Sequence, residues 1–329
     1  MTLPRWFSHP SGARVGESWD GAGTDVRTGG VGAGPPGTVG TVTGIDLHTH
    51  STASDGTLTP AELVAAGAAA GLDVLAITDH DTTGGWAAAV AALPPDLTLI
   101  RGAELSCVFS GTDPPVPLHL LALLFDPREP RLAAELARLH ADRARRGERI
   151  VAMLRADGVD ITWDEVSGYA AGGSVGRPHV ALALIRAGLV ASTAEAFTPR
   201  WLGRRYRLPK ADLDVFAALR LVRDAGGVTV FAHPRATRRG RIVPDRLIAD
   251  LAGAGLTGLE ADHDDHTPAQ RRRVRALAED LGLVVTGSSD FHGGHKAVRL
   301  GAFGTTPGMY ERLVAAASGI PPLRRGSAR

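Results

Sequence analysis

A single cysteine, Cys107, in 329 residues excludes an internal disulfide and any multi-thiolate metal site. Lysine is nearly as scarce, Lys210 and Lys296 being the only two, so positive charge is carried by arginine. Neither sign of charge dominates: 36 Lys and Arg face 35 Asp and Glu, a net charge of +1. That balance excludes the global basic field of a sequence-independent nucleic-acid binder, so a nucleic-acid substrate must be held locally. No apolar run reaches the roughly 18 residues of a membrane span, and Met1–Phe7 lacks the apolar core of a signal peptide. A cytoplasmic chain with no membrane and no obligate protein partner is expected. What is plentiful is apolar residues, 44% of the chain and enough for a substantial core, and histidine, with twelve.

Residues 1–41 are rich in Gly, Thr and Pro and have neither helical nor strand period, which predicts a disordered tail. From Val42 the texture changes. A strand ends at Asp46-Leu47-His48, and Thr59-Pro60-Ala61-Glu62 has the cap, first-turn proline and third-position acid that open a helix, which Gly71 closes. Strand Val74–Ile77, a helix from about Thr82 to Ala92 and strand Leu97–Ile100 follow. After the apolar run Leu118–Phe125 the pattern is helical from Pro130 to Trp201, which predicts a helical insertion over 127–210 between barrel segments 42–126 and 211–329. The alternation then resumes with helix Leu213–Ala225, strand Val228–Phe231, helix Pro244–Ala254, strand Thr257–Ala261, helix Pro268–Leu281 and strand Leu283–Thr286. About seven strand–helix units predict an α/β fold with a parallel sheet closed as a barrel.

The ends of the apolar strands collect metal-ligand residue types. His48 and His50 follow the first strand and, two apart, project to one face; His80 follows the second, Glu104 the third, His233 and Glu260 later ones, and Asp290 with His292 the last. In a parallel barrel these ends share one rim. His119, at the start of its own strand, fits less cleanly. Imidazole with carboxylate suits Zn²⁺, Mn²⁺ or Fe, and so many ligands exceed the needs of one tetrahedral ion, pointing to two or three. Such an arrangement serves phosphoryl or acyl hydrolysis. Asp46 and Asp79, each before a histidine, are candidates to fix a ring tautomer.

The segments Asp46-Leu-His48-Thr-His50 with Ser54-Asp55-Gly56, Ile77-Thr-Asp79-His80-Asp81, Gly102-Ala-Glu104, His119-Leu-Leu, Ala232-His233-Pro234 and Gly287-Ser-Ser-Asp290-Phe-His292 resemble the successive motifs of the polymerase and histidinol phosphatase (PHP) family over about residues 44–305. The resemblance implies a distorted (β/α)7 barrel with a trinuclear site, usually Mn²⁺ and sometimes Fe or Zn. By motif, His48, His50, Glu104 and Asp290 would hold one ion, with Glu104 bridging to a second held by His119 and His233, and Asp55, His80 and His292 would hold the third. Water activated on the ions would be the nucleophile, with no side-chain nucleophile. Ser54-Asp55-Gly56 and Gly176-Arg177-Pro178-His179 resemble the branch of exoribonucleases and 3′,5′-nucleoside bisphosphate phosphatases, which implies 3′-dephosphorylation of a compound such as pAp and 5′-to-3′ trimming of short RNA. In that branch Asp55, Arg177, His179, His266 and His292 would meet the substrate; Arg177 reads equally well from spacing as a helix-start arginine paired with a carboxylate. The loop Arg235–Arg241 departs from the Gly-Arg or Gly-Lys spacing that follows Ala-His-Pro in the family.

Two other readings stay in view. A histidinol-phosphate phosphatase shares the same chemistry, and a barrel amidohydrolase would carry a bridging lysine at a strand end, where this chain has Glu104. The arginine-rich stretch Pro130–Asp157 reads as a solvated helix face, without the interleaved aromatics of a single-strand binder.

Overall fold

The computed structural model describes residues 44–325, so the Gly-rich stretch 1–41 lies outside the described residues. The elements run β1 (Ile45–Asp46), α1 (Pro60–Ala69), β2 (Val74–Ile77), α2 (Trp86–Ala91), β3 (Thr98–Phe109), β4 (Val116–Leu123), α3 (Pro130–Ala156), α4 (Trp163–Tyr169), α5 (Arg177–Arg186), α6 (Thr193–Ala196), β5 (Leu213–Asp214), α7 (Val215–Asp224), β6 (Val228–Phe231), α8 (Asp245–Gly253), β7 (Gly258–Asp262), α9 (Pro268–Asp280), β8 (Val284–Gly287) and α10 (Pro307–Ala316). Local chemistry sets the boundaries. At α1 the Thr59 hydroxyl accepts the Glu62 N–H while the Glu62 carboxylate accepts the Thr59 N–H, and the chain leaves through Gly71 at φ 77°, which a side chain would strain.

The sheet order is β1-β2-β3-β4-β6-β7-β8, with β5 paired to β3. Beyond the named strands, Thr49 bridges Phe291 in parallel and the His50 N–H donates to the Phe291 carbonyl at 2.9 Å, so the two edges meet in a nearly closed barrel. One feature departs from the all-parallel sheet expected: β4 is antiparallel to both β3 and β6. The connection from β3 to β4 is only residues 110–115, whereas a parallel crossover takes about a dozen residues or more. In addition, β3 extends to Phe109, well beyond the expected Ile100.

Alternation along the strands sorts two layers. Val74, Ala76, Ile100, Leu121, Leu123, Val228, Val230 and Val284 pack inside the barrel, where Leu313 of α10 joins them. Leu75, Ile77, Leu99, Leu105, Leu120, Phe231 and Leu259 face outward against the helices. With period two, Glu104 on β3 and His119 on β4 fall on the inner face. The long α3 serves two cores: Leu132, Leu136 and Leu139 pack on the barrel's outer layer, while Ile150, Val151 and Leu154 join residues of α4–α6 such as Val166, Leu184 and Trp201. Among the described residues no helix is long and apolar enough to cross a membrane.

Candidate metal centre

The antiparallel course of β4 explains the awkward histidine. Reversing a strand brings its beginning to the rim where its parallel neighbours end, so His119 pairs in register with Ser106, two residues beyond Glu104 on β3. The isolated bridge between His80 and Glu104 brings the end of β2 to the same level, and the closing bridge at Thr49 and Phe291 sits between His48 and His50 on one edge and beside Asp290 and His292 on the other. Three of the loop residues involved, Asp81, His233 and Asp290, hold positive φ (54°, 34° and 50°), a strained conformation that sets the direction of side chains at the rim.

Four donors converge most tightly. His48 Nε2 and His50 Nε2 are 3.1 Å apart; Glu104 Oε2 lies 3.2 Å from the first and 3.1 Å from the second, and Asp290 Oδ1 lies 3.3 Å from each. A tetrahedron with such edges has its centre about 2 Å from every corner, the bond length of divalent first-row ions to imidazole and carboxylate. All four residues are buried, and Asp290 Oδ1 has no hydrogen-bond partner among the described residues. Lone pairs turned on one point repel, so the arrangement calls for positive charge at its centre, a proton or a metal cation.

A second group joins Asp55, His80 and His292, with His292 Nε2 at 3.4 Å from Asp55 Oδ1 and His80 Nε2 at 3.8 Å from Asp55 Oδ2; His50 Nδ1 is also within reach, at 3.8 Å. Asp55 Oδ1 and His80 Nδ1 likewise lack hydrogen-bond partners among the described residues. A third group gathers on Glu104: His80 Nδ1 at 3.1 Å from Oε2, and His119 Nδ1 at 2.7 Å from Oε1. His233 Nε2 lies 3.2 Å from the same Oε1, although the tight third group is completed by His80 rather than by His233. All nine residues expected at the metal site are therefore brought together around Glu104, Asp55 and Asp290.

Burial and Arg239 beside it push His233 down to about 3, leaving the neutral ring that binds a metal. Burial likewise lowers His80, with Arg143 adding to the effect, and His292, with His50 adding. His48 and His50 go the other way. Burial disfavours their charged form, yet Asp290 and Glu104 overcome it, raising His48 and bringing His50 up to about 9. The buried carboxylates thus draw positive charge into the centre, as a protein's metal cage must.

Around this centre lie residues whose roles differ from the sequence reading, which gave Glu260 as a strand-end ligand and Asp46 and Asp79 as partners that fix a ring tautomer. Glu260 orients His48 through Nδ1 at 3.1 Å and accepts the His233 N–H at 2.7 Å. Asp46 and Asp79 touch no ring: Asp46 holds Ser289 and Gly301, and Asp79 holds Ser51 and Ser54, pinning the loops instead. Three further groups were missed, His263, Arg239 and Lys296, which reach Asp290 Oδ2 at 3.2, 2.5 and 2.5 Å. The His-Asp-Asp-His run after β7 could have flagged His263, but spacing gives no signal for a loop arginine folding back. Arg235 is held away by the Val243 carbonyl and Asp245. His266 uses both ring nitrogens on backbone, at 2.9 Å from the Ala261 carbonyl and 3.0 Å from the Arg235 N–H, so it braces the loop. Arg177 donates to the Leu202 carbonyl and stacks over Phe197, with no carboxylate partner among the described residues, and His179 Nδ1 accepts the Gly176 N–H at the start of α5.

This geometry has relatives. A family model described as PHP domain matches residues 46–141. The chain is 36% identical over 251 residues to the 5′-3′ exoribonuclease of Haemophilus influenzae, covering 75% of this chain and 89% of that protein. It is 32% identical over 292 residues to the 3′,5′-nucleoside bisphosphate phosphatase of Chromobacterium violaceum, covering 85% and 94%. A solved structure from Bifidobacterium adolescentis, described as a candidate metal-dependent phosphoesterase, superposes with TM-score 0.77 at 34% identity over 83% of this chain and 96% of that one. The barrel, its histidine–carboxylate rim and these likenesses together make the chain a member of the PHP family of metal-dependent phosphoesterases, hydrolases of phosphate esters.

Proposed function

We propose that the protein is a cytoplasmic nucleotide phosphoesterase that removes the 3′-phosphate from nucleoside 3′,5′-bisphosphates such as pAp and trims short RNA from its 5′ end, with Mn²⁺ in the site. The observation that carries the reading is the convergence of His48, His50, Glu104 and Asp290 at 3.1–3.3 Å, beside two further ligand groups, in a chain similar to both a nucleoside bisphosphate phosphatase and an exoribonuclease. In this reading His48, His50, Glu104 and Asp290 hold one ion, Glu104, His119 and His233 a second, and Asp55, His80 and His292 a third. Bound there, divalent ions supply Lewis-acid polarisation of a phosphoryl oxygen and an activated water. The residues do the rest. Glu260 fixes the His48 ring, Asp79 fixes the loop that carries His50 and Asp55, and the insertion of 127–210 meets that loop where the Ser174 N–H donates to the Ala53 carbonyl.

Arg239 and Lys296 supply cations at the rim. Each contacts Asp290 Oδ2, and Arg239 also pairs with Asp265 and lies 3.1 Å from His233 Nε2, so in this reading its guanidinium borders the ions' ligands, within reach of a phosphate that they would hold. Arg239→Ala is expected to lower kcat/KM about 10- to 100-fold, with Arg239→Lys recovering part of it, because one phosphate-facing cation contributes about 1.5–3 kcal/mol. Steady-state kinetics on one nucleotide substrate measures this; wild-type values in the alanine variant would remove Arg239 from the site.

The direct test of the reading is a substrate panel. Protein loaded with Mn²⁺ should release phosphate from pAp and nucleotides from a 5′-phosphorylated tetraribonucleotide well ahead of histidinol phosphate, and a chelator should abolish turnover until Mn²⁺ is restored. Preference for histidinol phosphate would select that alternative, and turnover that survives complete metal removal would reject the metal centre.

A further inference from the structure

We propose that His263 is a positioning residue of the metal centre, a fixed donor that keeps Asp290 Oδ2 engaged so that Oδ1 alone faces the point on which His48, His50 and Glu104 converge. This rests on the reading above, in which Asp290 holds an ion, and goes beyond it by assigning a residue that belongs to none of the three donor groups.

The backbone brings His263 there by breaking the alternation of its strand. Along β7, Leu259 and Ala261 pack in the outer layer and Glu260 points inward to His48, so a period of two would turn Asp262 inward and His263 outward. The register with β8 shifts at this point: Glu260 stands opposite Thr286 and Asp262 opposite Gly287, one residue more on β7 than on β8. Such a bulge re-aims the side chains that follow it. Asp262 accordingly faces out to Arg275 of α9. His263, 1% exposed, lies among the inner histidines, its ring centroid 5.2 Å from that of His233 and 6.5 Å from that of His48. Its carbonyl accepts the His266 N–H at 3.1 Å and Arg271 Nη2 at 3.0 Å, which ties the loop down behind the ring.

Hydrogen bonding then fixes the role of each ring nitrogen. The Asp265 N–H donates to His263 Nδ1 at 2.9 Å, so Nδ1 is an acceptor and the ring hydrogen sits on Nε2, which faces Asp290 Oδ2 at 3.2 Å. A nitrogen that carries hydrogen has no lone pair for a metal, so His263 is a donor to a ligand and not itself a ligand. Asp290 needs such a partner. Its Oδ1 has no hydrogen bond among the described residues, and a carboxylate free to turn would offer either oxygen, or both, to an ion. Arg239 and Lys296 also reach Oδ2, but both are long side chains with 32% exposure, able to turn to an arriving phosphate. His263 is the donor that stays, because burial and the Asp265 N–H leave its ring one orientation.

Titration of the chelator-treated full chain with Mn²⁺, followed by the electron paramagnetic resonance of the free ion, reads this role without turnover. Wild type is compared with His263→Gln, His263→Phe and Lys296→Met, each checked for folding by circular dichroism, with His263→Ala in place of the phenylalanine variant should that one not fold. Losing the outer partner of a metal ligand typically costs about 10- to 100-fold in metal affinity. His263→Phe, which keeps a ring and loses the donor, should weaken the tightest-bound Mn²⁺ by that factor with the number of ions unchanged. His263→Gln, which restores an N–H, should stay within a few-fold of wild type. Lys296→Met removes a cation beside the site, so it should bind Mn²⁺ no more weakly than wild type. Wild-type affinity in His263→Phe, a loss in His263→Gln as large as in His263→Phe, or an equal loss in Lys296→Met overturns the positioning role and leaves the metal centre standing. Wild type that binds no Mn²⁺ rejects the Mn²⁺ centre and the positioning role with it. Wild type that binds Mn²⁺ but hydrolyses neither pAp nor short RNA rejects the nucleotide reading alone, and the isotherms still decide His263.

Discussion

Glu104→Gln is expected to lower kcat on the order of 10³-fold or more and to strip metal from the protein at the same time. Changing a group that merely orients a metal ligand typically costs 10- to 100-fold, and Glu104 sits a step closer to the chemistry. Its Oε2 stands 3.1–3.2 Å from His48, His50 and His80, and its Oε1 stands 2.7 Å from His119 and 3.2 Å from His233. Among the described residues no other carboxylate touches as many of the candidate ligands. Glutamine keeps the volume and one oxygen but removes the charge, and its amide would face imidazole nitrogens that need a cation between them. Burial raises the Glu104 carboxyl, yet His119, His80 and His48 outweigh this and hold it well below the usual carboxylate range, so it is fully ionised at neutral pH. Kinetics on pAp with elemental analysis of the purified variant decides the matter. Normal turnover with normal metal content would end the bridging assignment, whereas lost turnover with full metal would limit Glu104 to charge stabilisation.

Much of this centre was legible before any coordinates, and the parts that were not have physical reasons. His48, His50, His80, His233 and Asp290 stand after short apolar runs whose period and length mark strands, so the shared rim could be inferred from alternation alone. Glu104 was placed at the rim for a partly wrong reason. Arg101 and Gly102 interrupt the apolar run and look like its end, but β3 continues to Phe109 with Glu104 and Ser106 inward and Leu105 and Cys107 outward. His119 resisted the rim rule because the rule assumes parallel strands, and the short 110–115 connection was the available sign that β4 turns back. Glu260, read as one more strand-end ligand, instead supports the His48 ring from behind. Side chains that return from loops, such as Arg239 and Lys296, left no periodic trace. The arginines of α3 had a helical period, but which arginine faces inward is set by the packing of Leu132, Leu136 and Leu139 on the barrel, a tertiary fact that local sequence does not encode.

Arg143→Ala is expected to destabilise the fold by about 3–5 kcal/mol at pH 7, the usual cost of leaving a buried charge without its partner. Against a typical total of about 5–15 kcal/mol, that loss places the variant near the edge of folding. Arg143 is 9% exposed and Asp81 1%, so water cannot replace the missing cation. Asp81 also accepts the Ser106 N–H at 2.6 Å and its own N–H donates to the Glu104 carbonyl at 3.0 Å, so disturbing it shifts β3 and the turn that carries His80. The pH dependence separates this cause from lost packing. Burial opposes ionisation of Asp81, but Arg143 and the Ser106 N–H bring its carboxyl below the ordinary 3.8, so wild type gains stability that is fully present above pH 3.8 and lost as pH falls through the lowered value. Without Arg143, burial prevails and Asp81 is raised. The variant then regains stability as acid protonates it, and its gap from wild type should narrow between pH 7 and pH 4. Urea unfolding at several pH values measures that gap, and the Asp81→Asn/Arg143→Met pair, which removes both charges, should cost less than the single alanine variant. A gap that stays constant with pH would mean that Arg143 acts through packing, leaving the ion pair without a role in stability.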